Sequence, residues 1–280
     1  MKDLFNIFGI QIHFFGVMIA LGMLAGLLVA YIEVKRKGLD VEKLFDIVLY
    51  SMISAIVGAR LVYIVFYDFS YYLNNPIDII KINEGGLSIH GGLLGAFIPA
   101  FFYIRKHKLN FFKYADALAP GIILGQGIGR VGCDVFGKVM SIPLPWGIMR
   151  QGQLLHPAQV YEFLLNYLVF FFLWRKRKSI KYAGQIFSWY IILFSINRSI
   201  VELIRTNPSV AGWFSISHLL SVLFIAGAIV MMYFAKKKSG GIGAANMQEA
   251  PINKWDWLKD TLITLVLMVV SVLIFYTVQS

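Results

Sequence analysis

Charge is scarce in this chain. Only 15% of its 280 residues are Asp, Glu, Lys or Arg, while 58% are hydrophobic. A soluble domain carries roughly a quarter charged residues, so a water-soluble globular domain is excluded. The mean hydropathy of +0.70 points the same way. Cysteine is nearly missing as well: a lone thiol, Cys133, rules out an intrachain disulfide and says nothing about redox compartment. The first apolar run follows a single lysine and lacks an A-x-A-like site, which argues against a cleaved signal peptide. No His, Cys, Asp or Glu cluster has metal-ligand spacing, so neither a metal nor another cofactor is expected. No internal sequence repeat is visible.

What the chain does have is a series of apolar runs of about 20 residues, the length that crosses the hydrocarbon core of a bilayer. The expected fold is all-α: a polytopic membrane bundle of seven spans plus one extra. The spans are read at 12–32, 44–66, 87–104, 111–128, 157–174, 182–203 and 215–234. Residues 238–256, with Gly240, Gly241, Gly243 and Pro251, read as a flexible linker between a domain at 1–237 and an additional helix within 257–280. That last helix carries no interior ionisable group and reads as an anchor or a partner-binding helix.

The net charge of +11 is not a nucleic-acid signature, because of where it sits. Basic clusters at Lys35-Arg36-Lys37, Arg105-Lys106-His107-Lys108, Arg175-Lys176-Arg177-Lys178 and Lys236-Lys237-Lys238 follow spans one, three, five and seven. The even spans lack them. That alternation puts those loops on the cytoplasmic side and the N-terminus outside.

Ionisable residues at membrane depth are costly and are functional candidates by default. Here they are Arg60, His90, Asp116, Arg130, Glu162, Arg198 and Glu202. On this topology all but Asp116 lie towards the outer half, together with His156 and Arg205. Guanidinium groups grip phosphate oxygens in a fixed fork, so arginines and a histidine near one face suit a phosphorylated headgroup. The imidazole can exchange a proton near neutral pH. A structural alternative stands beside this: Arg60 and Arg198 pair with Asp116, Glu162 or Glu202. Arg198 and Glu202 are spaced i,i+4 and suit a simple ion pair. Arg130 stands among Gly125, Gly127, Gly129 and Gly132, where backbone is open to a ligand. Gln159, Glu162 and Asn166 fall at i, i+3 and i+7, one helical face turned into the bundle. Cys133 is either a small packing residue or a low-pKa nucleophile.

Five segments taken in order make the chain resemble prolipoprotein diacylglyceryl transferases: GGLSIHGGLLG at 85–95, GIGRVG at 127–132, LPWGI at 144–148, HPAQVYEFLLN at 156–166 and NRSIVELIR at 197–205. The resemblance covers residues 9–235. It implies a bacterial cytoplasmic (cell inner) membrane enzyme with its site facing outward. Such an enzyme moves the diacylglyceryl group of phosphatidylglycerol to the lipobox cysteine of a prolipoprotein and releases glycerol phosphate. The partners it implies are phosphatidylglycerol, the prolipoprotein signal peptide and the bilayer, with no nucleic acid. By motif, His90, Arg130 and Arg198 are the expected catalytic residues. Arg60, Gly91, Gly129, Gly132, Gln159, Glu162 and Glu202 are expected to bind substrate. His90 would be either the base for the thiol or a donor to the headgroup. Phe15, Cys133, Phe136 and Phe194 replace polar residues of the family pattern. They motivate an alternative: a phospholipid-binding paralogue without transferase activity, or a transferase with an altered lipid or acceptor. A transporter would need a polar pore or related halves around broken helices, and neither is found.

Overall fold

The computed structural model describes residues 3–7, 10–82, 85–206, 209–211, 214–239 and 254–279. Two short strands, β1 (Asp3–Ile7) and β2 (Ile10–His13), precede α1 (Phe14–Arg36) and α2 (Val41–Tyr67). A short α3 (Phe69–Asn74) and a 3₁₀ turn (Pro76–Ile80) lead to α4 (Ile89–Lys106) and α5 (Phe111–Val131). The hairpin β3 (Ile148–Arg150)/β4 (Gln153–Leu155) precedes α6 (Ala158–Lys176) and α7 (Gln185–Glu202). A second hairpin, β5 (Ser209–Ala211)/β6 (Phe214–Ser215), opens α8 (Ile216–Ser239), and α9 (Lys254–Gln279) ends the chain.

The protein is thus a mostly helical, polytopic membrane protein. Among the described residues, four helices are long and apolar enough to cross a bilayer: Phe14–Arg36, Val41–Tyr67, Ile216–Lys237 and Trp255–Val278. Leucines and phenylalanines point outward along them, among them Leu24, Leu61 and Phe66. A soluble surface does not tolerate such a coat. The other four segments expected to span are helical, as α4 to α7. Glycines and ionisable residues lie within these four helices, among them His90, Asp116, Arg130, Glu162 and Arg198. The expected linker lies outside the described residues except at its helical ends, 238–239 in α8 and 254–256 in α9.

The chain divides into two compact units. The first takes Met1–Phe5, Ile12–Ala30 and Ala115–Ser280. Its core centres on α6, whose Val160, Phe163, Tyr167 and Phe170 recur at three- and four-residue steps and are buried. One residue earlier in each step stand Gln159, Glu162 and Asn166, also buried. α6 therefore buries an apolar stripe and a polar stripe side by side. Against α1, α5 packs backbone to backbone. A Cβ built on Gly22 would stand 2.5 Å from Gly125 O, and one on Gly26 2.6 Å from Gly121 O. Small residues at such crossings let membrane helices approach closely.

The second unit takes Asn6–Gln11 and Tyr31–Tyr114. Its main packing is α2 against α4, through Gly58, Gly91 and Gly95. Asp40 caps α2, its carboxylate accepting from Glu42 N at 2.9 Å and Lys43 N at 3.3 Å. Ser88 caps α4, which places His90 in the first helical turn.

Candidate active site

In the first unit, three helices and the segment after α7 bring charge to one place. Arg130 stands in the last turn of α5, which runs as helix through Gly125, Gly127 and Gly129. Its Nη2 lies 2.8 Å from Glu162 Oε2, and its Nη1 donates to Cys133 Sγ at 3.1 Å. Arg198 of α7 meets Glu202 at 3.0 Å, the i,i+4 pair expected from sequence, and lies 3.9 Å from Glu162 Oε2. Arg205, beyond the end of α7, is also 3.9 Å from that oxygen. Glu202 accepts in turn from Ser215 Oγ at 3.0 Å, at the start of α8. The backbone N–H of Ser215 donates to His218 Nδ1 at 3.2 Å.

Among the described residues, three guanidiniums thus face two carboxylates, leaving one positive charge in excess. The excess is felt at Arg205: burial, then the positive charges of Arg198 and Arg130, hold its pKa below the usual guanidinium range. Arg198 Nη1 and Arg205 Nε are buried donors with no hydrogen-bond partner among the described residues. An unpaired buried donor is costly, so a ligand with several anionic oxygens answers both the charge and the donors. Gln159, buried a turn before Glu162, has neither amide atom hydrogen-bonded among the described residues. Asn166 Oδ1 accepts from Asn197 Nδ2 at 2.7 Å and ties α6 to α7.

The glycines of this region do different jobs. A Cβ on Gly132 would stand 2.9 Å from Phe15 Cα, so this glycine serves packing against α1. Gly127 is filled by the Tyr167 ring, 2.7 Å from its built Cβ. At Gly129 a Cβ would meet nothing nearer than Ile19 at 3.7 Å. Asp116 lies apart from the arginines. Its carboxylate accepts from Gly184 N at 2.7 Å and Phe187 N at 2.9 Å, which supplies the N-terminus of α7 with the cap that Gly184 cannot give.

The remaining expected residues belong to the second unit. His90 is exposed at the start of α4. Beside it, Gly91 packs against Gly58 and Val62 of α2. Arg60 is buried and pairs with no carboxylate among Asp116, Glu162 and Glu202. Its guanidinium donates to Ile79 O at 3.0 Å, Gly85 O at 2.7 Å and Gly86 O at 3.0 Å, and to Asp78 O. Its Cζ stands 4.8 Å over the Tyr72 ring. Gly85 and Gly86, with φ of +94° and +70°, form the turn that aims those carbonyls.

Among the residues that join the cluster, Ser215 and His218 were not anticipated. Their one visible sign is a Ser-x-x-His pattern opening an apolar helix, which says nothing of Glu202 thirteen residues earlier. Tyr161, whose hydroxyl lies 3.3 Å from His156 Nδ1, sits within a recognised segment but was not singled out.

Known proteins resemble the chain over most of its length. Residues 2–234 match the family model of prolipoprotein diacylglyceryl transferase. Relatives named phosphatidylglycerol–prolipoprotein diacylglyceryl transferase include one from Clostridioides difficile strain 630, 36% identical over 241 residues, which covers 85% of this chain and 97% of the relative. A relative from Finegoldia magna is 38% identical over 239 residues, 83% of this chain and 95% of its own. One from Clostridium botulinum strain Loch Maree is 34% identical over 246 residues, 84% and 96% of the two chains. The chain belongs to the prolipoprotein diacylglyceryl transferase family.

Proposed function

We propose that the protein transfers the diacylglyceryl group of phosphatidylglycerol to the lipobox cysteine thiol of a prolipoprotein, and that Arg130, Arg198 and Arg205 bind the phosphate. The observation that carries the assignment is the half-buried guanidinium cluster, with its surplus positive charge and its two unpaired donor atoms among the described residues. In the reaction, a C–S bond forms as the C–O bond to the phosphate breaks at an sp³ carbon. The thiol loses its proton and glycerol phosphate departs. A thiol attacks as thiolate, so a base is needed, and His90 is assigned the proton step on its chemistry. The guanidiniums stabilise negative charge as it grows on the leaving phosphate. Glu162 holds three like charges together and competes with phosphate for them.

The protein sits as a multi-pass protein in the bacterial cytoplasmic membrane, with seven spans plus α9, an outside N-terminus and the arginine cluster towards the outer face. The basic groups at the C-terminal ends of α1, α4 and α6 support this orientation, since they mark cytoplasmic ends and complement the helix dipoles. An apolar groove lined by Leu165, Leu168, Phe172, Leu193, Ile196 and Ile200 of α6 and α7 offers an acyl chain a surface on the helices that carry Glu162 and Arg198.

The test is mass spectrometry of a synthetic lipobox peptide incubated with purified protein and phosphatidylglycerol vesicles. The expected result is a mass gain of one diacylglyceryl group on the cysteine, lost in Arg130→Ala. An unmodified peptide with folded wild-type protein overturns the assignment.

A further inference from the structure

The helix α9 lies beyond the stretch matched by the family model, which ends at residue 234. Yet it is not a loose anchor. It runs antiparallel to α6 and contacts it along its whole length. Near the N-terminal end of α6, Tyr276 OH donates to the carbonyl of Trp146 at 2.6 Å, and the Trp146 indole donates to Tyr161 OH at 2.9 Å. At the middle, Tyr167 OH and Ser271 Oγ share a buried hydrogen bond of 2.7 Å, and the Phe163 and Phe275 rings meet edge to face at 6.2 Å. At the far end, Asp260 accepts from Trp174 Nε1 at 3.2 Å and lies 3.3 Å from Arg175. Asp256 lies 2.9 Å from Lys178.

Two of these contacts lead to the arginine cluster. Tyr161 is the residue before Glu162, and it is held between Trp146 and His156. Tyr167 fills the space over Gly127, three residues before Arg130, so one side chain is fixed by α9 at its hydroxyl and by α5 at its ring. The rotation of α6 decides whether Glu162 reaches Arg130, Arg198 and Arg205 at once, because about 100° separates successive residues around a helix. A hydrogen bond on each side of that position fixes the rotation.

We propose that α9 is a positioning element of the arginine cluster, acting through Ser271 on Tyr167 and through Tyr276 on Trp146 and Tyr161. The inference rests on the reading of that cluster as the phosphate site. Neither Ser271 nor Tyr276 touches substrate. Each sets the place of a residue that adjoins the charged groups.

The experiment uses the full-length protein in phosphatidylglycerol vesicles with a lipobox peptide. Ser271→Ala/Tyr276→Phe is expected to lower kcat about thirtyfold, the rate equivalent of two lost hydrogen bonds of typical net strength, with KM for the lipid unchanged. Thr277→Val, which alters an exposed hydroxyl bonded only within α9, is the control and should match wild type. Tyr167→Phe added to Ser271→Ala should cost little more than either alone, since one bond is removed in each case. A kcat of the double variant equal to wild type overturns the proposal, as does full additivity at Tyr167 and Ser271. If the double variant fails to accumulate in the membrane, Tyr276→Phe alone is held to the same criterion, with a smaller drop expected. Arg130→Ala run in parallel separates the two readings. Transfer that survives Arg130→Ala removes the phosphate site itself. Transfer lost in Arg130→Ala but untouched by the α9 variants removes only the role of α9.

Discussion

Glu162 Oε2 lies 2.8 Å from Nη2 of Arg130, and the same oxygen is the shared neighbour of Arg198 and Arg205 at 3.9 Å. One carboxylate thus offsets much of the repulsion among three guanidiniums in a half-buried site. Glu162→Gln keeps the shape and removes the charge. Removing one partner of a fully buried pair costs about 3–5 kcal/mol. Here the cost should be about 2 kcal/mol, because the Arg130 and Arg198 side chains keep some access to solvent. The thermal midpoint in detergent should fall accordingly. Phosphatidylglycerol should bind more tightly, as the guanidiniums lose their internal competitor, while kcat drops because glycerol phosphate leaves slowly. A raised KM with unchanged kcat would contradict this competition.

Arg130 makes two different contacts from one planar group, Nη2 to Glu162 and Nη1 to Cys133 Sγ. Lysine keeps the charge but cannot span both directions with a rigid fork. Arg130→Lys is therefore expected to lose about a hundredfold in kcat, the scale of removing one pre-set donor to a developing anion. Steady-state transfer to a lipobox peptide measures it. Near-normal turnover would show that charge alone suffices at this position.

His90 is exposed and belongs to the second unit, so its replacement should leave folding intact. His90→Ala and His90→Gln separate a base from a hydrogen-bond donor, because glutamine donates but takes no proton at neutral pH. A base predicts that both variants lose about 10²–10⁴-fold in kcat. Recovery of most of the rate in His90→Gln would assign the imidazole to the headgroup instead.

The helices were legible because apolar runs and terminal basic clusters are local properties of the chain. So was the polar face of α6, since Gln159, Glu162 and Asn166 share one side at any reading of helical pitch. The partners of Arg60 were not legible. Sequence shows a buried arginine and suggests a carboxylate, whereas the structure supplies backbone carbonyls from a turn some twenty residues on. Carbonyls carry no mark in a sequence, and only the positive φ of Gly85 and Gly86 aims them. The glycines around Arg130 misled in a related way. They read as open backbone for a ligand, but Gly125 and Gly127 are filled by α1 and by Tyr167. Ser215 and His218 reach Glu202 only through the approach of α8 to α7, which no spacing encodes.

Arg60 should accordingly act on stability before it acts on lipid. Its guanidinium ties the carbonyls of Ile79, Gly85 and Gly86, ahead of α4, to α2 and lies over the Tyr72 ring. Arg60→Ala leaves those carbonyls unpaired and is expected to cost about 3 kcal/mol, in the range for loss of charge-assisted hydrogen bonds. Faster proteolysis between residues 78 and 86, with KM for phosphatidylglycerol unchanged in the surviving protein, is the expected result. A rise in KM without loss of stability would return Arg60 to the substrate-binding set.

Gly121 and Gly129 lie on the same helix and should respond in opposite ways. A Cβ on Gly121 collides with the backbone of Gly26, which has no rotamer to relieve it, so α1 and α5 must move apart. Gly121→Val should therefore cost about 3 kcal/mol, towards the upper end for overpacking. It should show as poor recovery of folded protein from the membrane. Gly129→Ala adds a methyl group that makes only an ordinary contact with Ile19, and helix propensity favours alanine over glycine. Stability should be unchanged or slightly raised. Because no described residue of the first unit crowds a Cβ there, a fall in transfer by Gly129→Ala is expected to come from the approach of substrate to the backbone beside Arg130. A normal rate in that variant would remove Gly129 from the binding residues and leave the guanidinium cluster to hold the headgroup alone.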